Sequence, residues 1–145
     1  MFFASHLAAG LIIGKLTGNY SAALLGSLLI DIDHIVSYAK HGLLFNPKRA
    51  WKVMTSHEDT HGTQRHFLHS FFSWAIITAV MALFNYSYAV IFSIGYFVHL
   101  IFDAFDSSDF YPLFPLKWNI KGPLQYMSSA EYLFAALLFV IYFLL

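Results

Sequence analysis

Long apolar runs separated by short polar breaks dominate the pattern of this chain. The runs predict helical segments at about residues 2–16, 21–40, 65–84, 88–105 and 124–145. The third and fourth come close to the roughly 20 residues that an α-helix needs to span a hydrocarbon layer. The expected fold class is therefore all-α, an integral membrane bundle of about four to five hydrophobic helices, in a single domain over residues 1–145.

Two irregular polar stretches separate these helices. Residues 41–64 are polar and basic, and Pro47 and Gly62 break any long helix there. We expect a loop with one short interfacial helix at about residues 47–54, because proline suits the first turn of a helix. The stretch 106–123 holds the remaining prolines and is expected to be a second loop.

Composition supports a membrane protein. Charged residues make up 11% of the 145-residue chain, whereas a soluble domain has about a quarter. Hydrophobic residues make up 59%, more apolar surface than a soluble domain of this size can bury. The chain has no cysteine, which excludes thiolate metal sites, and its formal net charge of zero argues against nucleic acid as a partner.

The distribution of basic residues predicts an orientation in the plasma (inner) membrane. If each long segment crosses once, the N-terminus and the 41–64 and 106–123 loops share one side. That side holds seven of the eight Lys and Arg residues, namely Lys40, Lys48, Arg49, Lys52, Arg65, Lys117 and Lys121. The positive-inside rule places this side in the cytoplasm.

Ionisable residues form four islands in the apolar sequence: His6; Asp31-Ile32-Asp33-His34; Arg65-His66-Phe67-Leu68-His69; and His99 with Asp103 and Asp106. Such side chains are costly in or beside a membrane and need a partner or a function. The predicted topology puts all four islands at the cytoplasmic face. Histidine and aspartate are ligands of zinc, manganese and iron, so convergence on one shallow metal site is the simplest interpretation.

Helical spacing indicates which members of these islands share a helix face. His99 and Asp103 are four residues apart and share a helix face, as Asp31 and His34 do at a spacing of three. On a continuous helix Asp33 points elsewhere. It is either a bridging carboxylate or a residue that orients a ligating histidine through its second ring nitrogen.

The third island combines two histidines with an arginine. His66 and His69 would share a helix face, and Arg65 suits the grip of an anionic phosphate oxygen. Arg65 also fits a plain role as a cation reaching the membrane edge. In the preceding loop, His57 to His61 matches the letters of the HExxH zincin motif, but poor helix propensity favours a solvated loop there.

These residues together resemble the YdjM-like family of small membrane-bound metal-dependent hydrolases. The similarity rests on His6, Ile30 to His34, Gln64 to Ser70 and Gly95 to Asp103, and it spans roughly residues 1–120. Ile30 replaces the proline of the family motif, and Gln64 stands where that motif has a histidine. The resemblance implies a metal-dependent hydrolase with a site similar to those of zinc phospholipases C.

The combined prediction is a hydrolase of a lipid or lipid-linked phosphoester. Its cofactor would be one or two divalent transition-metal ions, with zinc as the first choice and manganese or iron as alternatives. The predicted metal ligands are His6, Asp31, His34, His69, His99 and Asp103. Asp33, Arg65 and His66 are the predicted catalytic residues, with Arg65 or His66 stabilising the phosphate or protonating the leaving group. The alternatives are a divalent-metal transporter and a structural or regulatory membrane protein in which metal joins helices.

Overall fold

The computed structural model describes residues 3–40, 42–49, 52 and 67–145. Its elements are α1 (Phe3–Thr17), α2 (Tyr20–Leu28), a 3-10 turn (Leu29–Asp31), α3 (Ile32–Lys40), α4 (Phe71–Phe84), α5 (Tyr86–Ala104) and α6 (Ser129–Leu144). The described residues contain no β-strand, and isolated bridges join Asp106 to Leu124 and Phe110 to Ile120. The all-α prediction is confirmed.

Polar caps determine where several helices begin. The side chains of Asn19, Ser70, Asn85 and Ser128 accept hydrogen bonds from backbone N–H groups in the first turns of α2, α4, α5 and α6. Each cap satisfies a donor that has no partner within its own helix. These caps explain why the chain can change direction within a few residues between apolar helices.

Three predicted segments differ from the observed helices. The segment predicted at 21–40 contains a 3-10 turn at Leu29–Asp31, and the one predicted from residue 65 is non-helical at 67–70, before α4. The last helix starts at Ser129 rather than near residue 124. Side-chain caps at Ser70 and Ser128 set the later starts, since apolar content alone does not mark a helix end. Of the predicted 47–54 helix, residues 47–49 and 52 are helical and the others lie outside the described residues.

Within the part of the chain that the structure describes, two stretches are long and apolar enough to cross a membrane. They are Tyr20–Lys40, with 21 residues, and Tyr86–Ala104, with 19. The helices α1, α4 and α6 are also apolar but shorter, at 15, 14 and 16 residues. Large apolar side chains on the outward faces of these helices are exposed, among them Ile76, Val80, Leu133 and Leu137.

Glycines bring α2 and α5 into backbone contact. A Cβ atom at Gly26 would collide with the carbonyl group of Phe92, and one at Gly95 would lie 2.7 Å from the carbonyl oxygen of Ala23. Small residues at helix contacts permit this close approach in membrane proteins. Helix α2 also packs against α1, and α4 packs against the other side of α5.

The apolar core lies between the 3-10 turn, α4, α5 and the loop that follows α5. Its buried members are Ile30, Phe92, Tyr96, Leu100 and Phe110. At the far end of α1, Lys15 Nζ donates to the Tyr142 carbonyl oxygen at 3.0 Å and lies 5.0 Å from the centre of the Tyr142 ring. The C-terminal ends of α1 and α6 are thus adjacent, and the two helices run in the same direction.

Candidate metal centre

The structure brings the predicted ligands together from five parts of the chain. They are His6 on α1, Asp31 on the 3-10 turn, His34 on α3, His69 just before α4, and His99 and Asp103 on α5. Among the residues that the structure describes, three overlapping groups have potential ligand atoms within 4.8 Å of one another: His6, Asp31 and His99; Asp31, His34 and His69; and His69, His99 and Asp103. All six residues belong to at least one group.

Two histidine nitrogens lie at the middle of this cluster. His69 Nε2 is 3.3 Å from His99 Nε2. Asp103 Oδ2 lies 3.2 Å from the former and 3.4 Å from the latter. Asp31 Oδ1 is 3.6 Å from each of the two nitrogens. Each of the two nitrogens therefore lies close to a carboxylate oxygen of Asp103 and to one of Asp31.

Hydrogen bonds on the opposite ring nitrogens set the orientation of both histidines. His69 Nδ1 lies 2.8 Å from Asp33 Oδ2, and His99 Nδ1 lies 2.7 Å from the Ser27 carbonyl oxygen. Because these oxygens can only accept, both Nδ1 atoms carry the proton. In the neutral rings each Nε2 then presents its lone pair to the centre, as in histidines that ligate metal.

His6 and His34 flank the central atoms on two sides. The His6 ring stacks on His99 with centroids 3.7 Å apart, and His6 Nε2 is 3.3 Å from Asp103 Oδ1. His34 Nε2 is 3.4 Å from Asp31 Oδ1. Among the described residues neither His6 ring nitrogen has a hydrogen-bond partner with good geometry, although the ring is buried. Buried polar atoms are rarely left in this state without a ligand or water.

The cluster is buried except on the side of Asp31 and His34. The side chains of His69, His99, Asp103 and His6 are at most 1% exposed, whereas those of Asp31 and His34 are 24% exposed. The partly exposed side of the cluster is therefore at the 3-10 turn and α3. The donor set of imidazole nitrogens and carboxylate oxygens suits zinc, manganese or iron, so the residues present fit a divalent transition metal.

The other residues singled out in the sequence have different positions. Asp33 contacts His69 Nδ1 and belongs to none of the three ligand groups, which matches the orienting role. Asp106 is buried and accepts from the backbone N–H and hydroxyl of Ser108, so it shapes the loop after α5. Arg65 and His66 lie outside the described residues. So do Gln64, His57 and His61.

Two contributors to the centre carry little signal in the sequence. The Ser27 carbonyl orients His99, and backbone atoms have no residue-type signature. The Tyr96 hydroxyl donates to the carbonyl of Leu68 and so positions the turn that presents His69.

The exposed loop after α5 provides a contrast to the buried centre. Asp109 accepts from the amide of Asn119 and pairs with Lys121 at 3.0 Å. The hydrogen bond from Asn119 and the charge of Lys121 lower the pKa of the Asp109 carboxyl group. This carboxylate already has its partners away from the ligand groups, which makes it a suitable control in tests of metal binding.

Comparison with known proteins identifies a family. The model of the YdjM inner membrane protein family matches residues 1–145, the whole chain. No curated protein and no solved structure matches the chain.

Proposed function

We propose that this chain, which belongs to the YdjM inner membrane protein family, is a membrane-bound metal-dependent hydrolase that acts on a phosphoester of a lipid or lipid-linked substrate. The metal ligands in this proposal are His6, Asp31, His34, His69, His99 and Asp103. Zinc is the first choice of metal, with manganese or iron as alternatives.

The opposed Nε2 atoms of His69 and His99 carry the proposal. They lie 3.3 Å apart beside two aspartate oxygens, and both rings hold their protons on the far nitrogen. Lone-pair donors at these separations repel one another, and a single proton cannot satisfy all four of them. A divalent cation can, and this supports a metal centre in preference to a network of plain hydrogen bonds.

The partly exposed side of the cluster, at Asp31 and His34, supports hydrolysis over a purely structural role. A divalent ion held here supplies the positive charge that polarises a phosphoester and activates water near neutral pH. Asp31 and His34 are the ligands that a substrate can approach. Asp33 holds His69 in position, and Arg65 or His66 stabilises the phosphate or protonates the leaving group in this proposal.

The location of the centre supports a lipid substrate. Helix α3, which carries His34, exposes Ile32, Ile35 and Val36. These residues are spaced like one face of a helix, away from His34, so the helix that carries this ligand also presents an apolar surface. The excess of Lys and Arg in the loops places this face in the cytoplasm in our proposal. A lipid phosphate could then reach Asp31 and His34 sideways from the membrane.

Metal analysis combined with turnover tests this function. The full chain, purified in detergent, should contain a divalent transition metal and hydrolyse a short-chain phospholipid or bis(p-nitrophenyl) phosphate. We expect Asp103→Ala to lose metal and to lower turnover by more than about 100-fold, since changing even a residue behind a ligand costs 10–100-fold. Asp109→Asn is the matched control and should retain both. A folded protein without metal, or metal without any hydrolysis, contradicts the proposal.

Burial of the cluster favours one second candidate, in which metal joins helices without catalysis. His6 lies on α1, and His99 and Asp103 lie on α5, and all three are closed from solvent. An ion here would tie these helices together. This alternative predicts that a chelator lowers the thermal unfolding midpoint of the protein while no phosphoester is turned over at any metal loading.

A further inference from the structure

We propose that the centre holds two divalent ions and that the Asp103 carboxylate bridges them. This inference rests on the metal centre proposed above and adds a second metal position beside His6. It depends on the positions of the two Asp103 oxygens relative to three histidines.

The two oxygens of Asp103 have different neighbours. Oδ2 lies 3.2 Å from His69 Nε2 and 3.4 Å from His99 Nε2. Oδ1 lies 3.3 Å from His6 Nε2. If the carboxylate bound a single ion, the other ligand atoms would lie around one of its oxygens or around the space between both. Here each oxygen instead has its own histidine partners.

The central atoms have the dimensions of a complete site for one ion. Tetrahedral zinc with bonds of about 2.0–2.1 Å has ligand atoms about 3.3–3.4 Å apart. The separations among His69 Nε2, His99 Nε2 and Asp103 Oδ2 are 3.2–3.4 Å, and Asp31 Oδ1 lies 3.6 Å from both nitrogens. In our proposal these four atoms hold one ion, and His6 is not needed to complete it.

His6 lies where a second ion would need a ligand. Its ring is parallel to that of His99 within 15°, with centroids 3.7 Å apart. Paired metal ions in hydrolytic sites are typically about 3.5–4 Å apart, so stacked histidines at this spacing suit adjacent ions. His6 also forms a group of potential ligands with Asp31 and His99, and the Asp31 carboxylate can serve the second position as well as the first. The buried nitrogens of His6, which have no well-formed hydrogen bond to any described residue, then acquire a role.

A paired centre narrows the chemistry of the substrate. Two adjacent ions stabilise both the attacking and the leaving oxygen of an in-line displacement at phosphorus. The inferred substrate class is therefore a phosphate ester, whose tetrahedral oxygens can contact both positions.

Metal stoichiometry tests the second position without relying on activity. The full chain in detergent is loaded with Mn²⁺, washed, and measured by elemental analysis and electron paramagnetic resonance. We expect about two ions per chain and a spin-coupled spectrum, because a bridging carboxylate couples neighbouring ions. We expect His6→Ala and His6→Gln to hold about one ion with an uncoupled spectrum. His6→Gln retains side-chain volume and separates a lost ligand from a packing defect.

The alternatives give different results. One ion in the unaltered chain overturns the second position and leaves the metal centre intact. No ion in the unaltered, folded chain overturns the proposed function as well. Two ions retained in both His6 variants, or none in folded His6 variants, show that His6 does not hold a separate ion, which also overturns the inference. Asp109→Asn should match the unaltered chain throughout.

Discussion

Asp31 and Asp33 are two positions apart and contact opposite nitrogens of the same histidine. Asp31 Oδ1 faces His69 Nε2 at 3.6 Å, and Asp33 Oδ2 accepts from His69 Nδ1 at 2.8 Å. The first carboxylate lies among the potential ligands, and the second determines which nitrogen of the ring is free to bind. Helical spacing separated the two residues in the sequence, but it left the role of Asp33 open.

Removing the orienting carboxylate should weaken metal binding without abolishing it. We expect Asp33→Ala to lower the affinity for zinc by about 10–100-fold, because the His69 ring loses its fixed orientation and the basicity that the carboxylate provides. The number of ions at saturation should not change. Competition with a chromophoric chelator measures the affinity. Loss of all metal would instead make Asp33 a ligand, and unchanged affinity would remove its positioning role.

At the scale of elements, a short turn and two glycines determine the geometry of the centre. The 3-10 turn at Leu29–Asp31 interrupts the helical path between α2 and α3, directly at the first ligand of this segment. Gly26 and Gly95 hold α2 against α5. The Ser27 carbonyl can therefore accept from His99 across the helix contact. Gly26, at the helix contact, and Ser27, which orients His99, are neighbours in the chain. Helix packing and ligand orientation are therefore coupled.

A methyl group at Gly26 should separate the two helices. We expect Gly26→Ala to destabilise the protein by about 1–3 kcal/mol, since the added carbon would collide with the backbone of α5 at Phe92. Metal affinity should fall as well, because the Ser27 carbonyl moves away from His99. Thermal unfolding in detergent and the same chelator competition measure both effects. Ala75→Val, on an exposed position of α4, is the control and should leave both values unchanged. Unchanged stability in Gly26→Ala would contradict the close contact.

At the scale of the whole molecule, the ligand cluster and the Lys15–Tyr142 contact lie at opposite ends of α1. His6 is near the start of that helix, and Lys15 near its end contacts the last turn of α6. The C-terminus therefore lies at the end of the molecule away from the metal centre. Which of these two ends faces the cytoplasm stays a prediction from the basic residues.

Membrane topology should follow from this arrangement. We expect a reporter fused after Leu145 to lie on the periplasmic side and one inserted in the 41–64 loop to lie on the cytoplasmic side, as the positive-inside rule predicts. Paired fusions to reporters that are active on only one side of the membrane measure this. A chain with its C-terminal fusion removed checks that the reporter does not itself reorient the protein. Both reporters on the same side would contradict the topology and the cytoplasmic placement of the centre.

Much of the fold was predictable because apolar length is a strong signal. The helical class follows from the apolar runs, and α1 and α5 lie within a few residues of their predicted bounds. The starts of α4 and α6 were less predictable, since they depend on caps at Ser70 and Ser128 rather than on hydropathy. The candidate ligands could be selected because His and Asp are rare and costly in such a chain. Arg65 and His66 stay predictions, as they lie outside the described residues.

The sequence by itself determined that the protein is helical and apolar and that its His and Asp residues come in a few islands, because composition and spacing along one chain carry that information. Only the tertiary structure decided which nitrogen of His69 and His99 faces the centre, and that His6 meets one oxygen of Asp103 while the other two histidines meet the second. The contact between His6 and Asp103, for example, joins residues 97 positions apart along the chain. These contacts depend on helix packing and on a backbone carbonyl, which no pattern of residue types along the chain records.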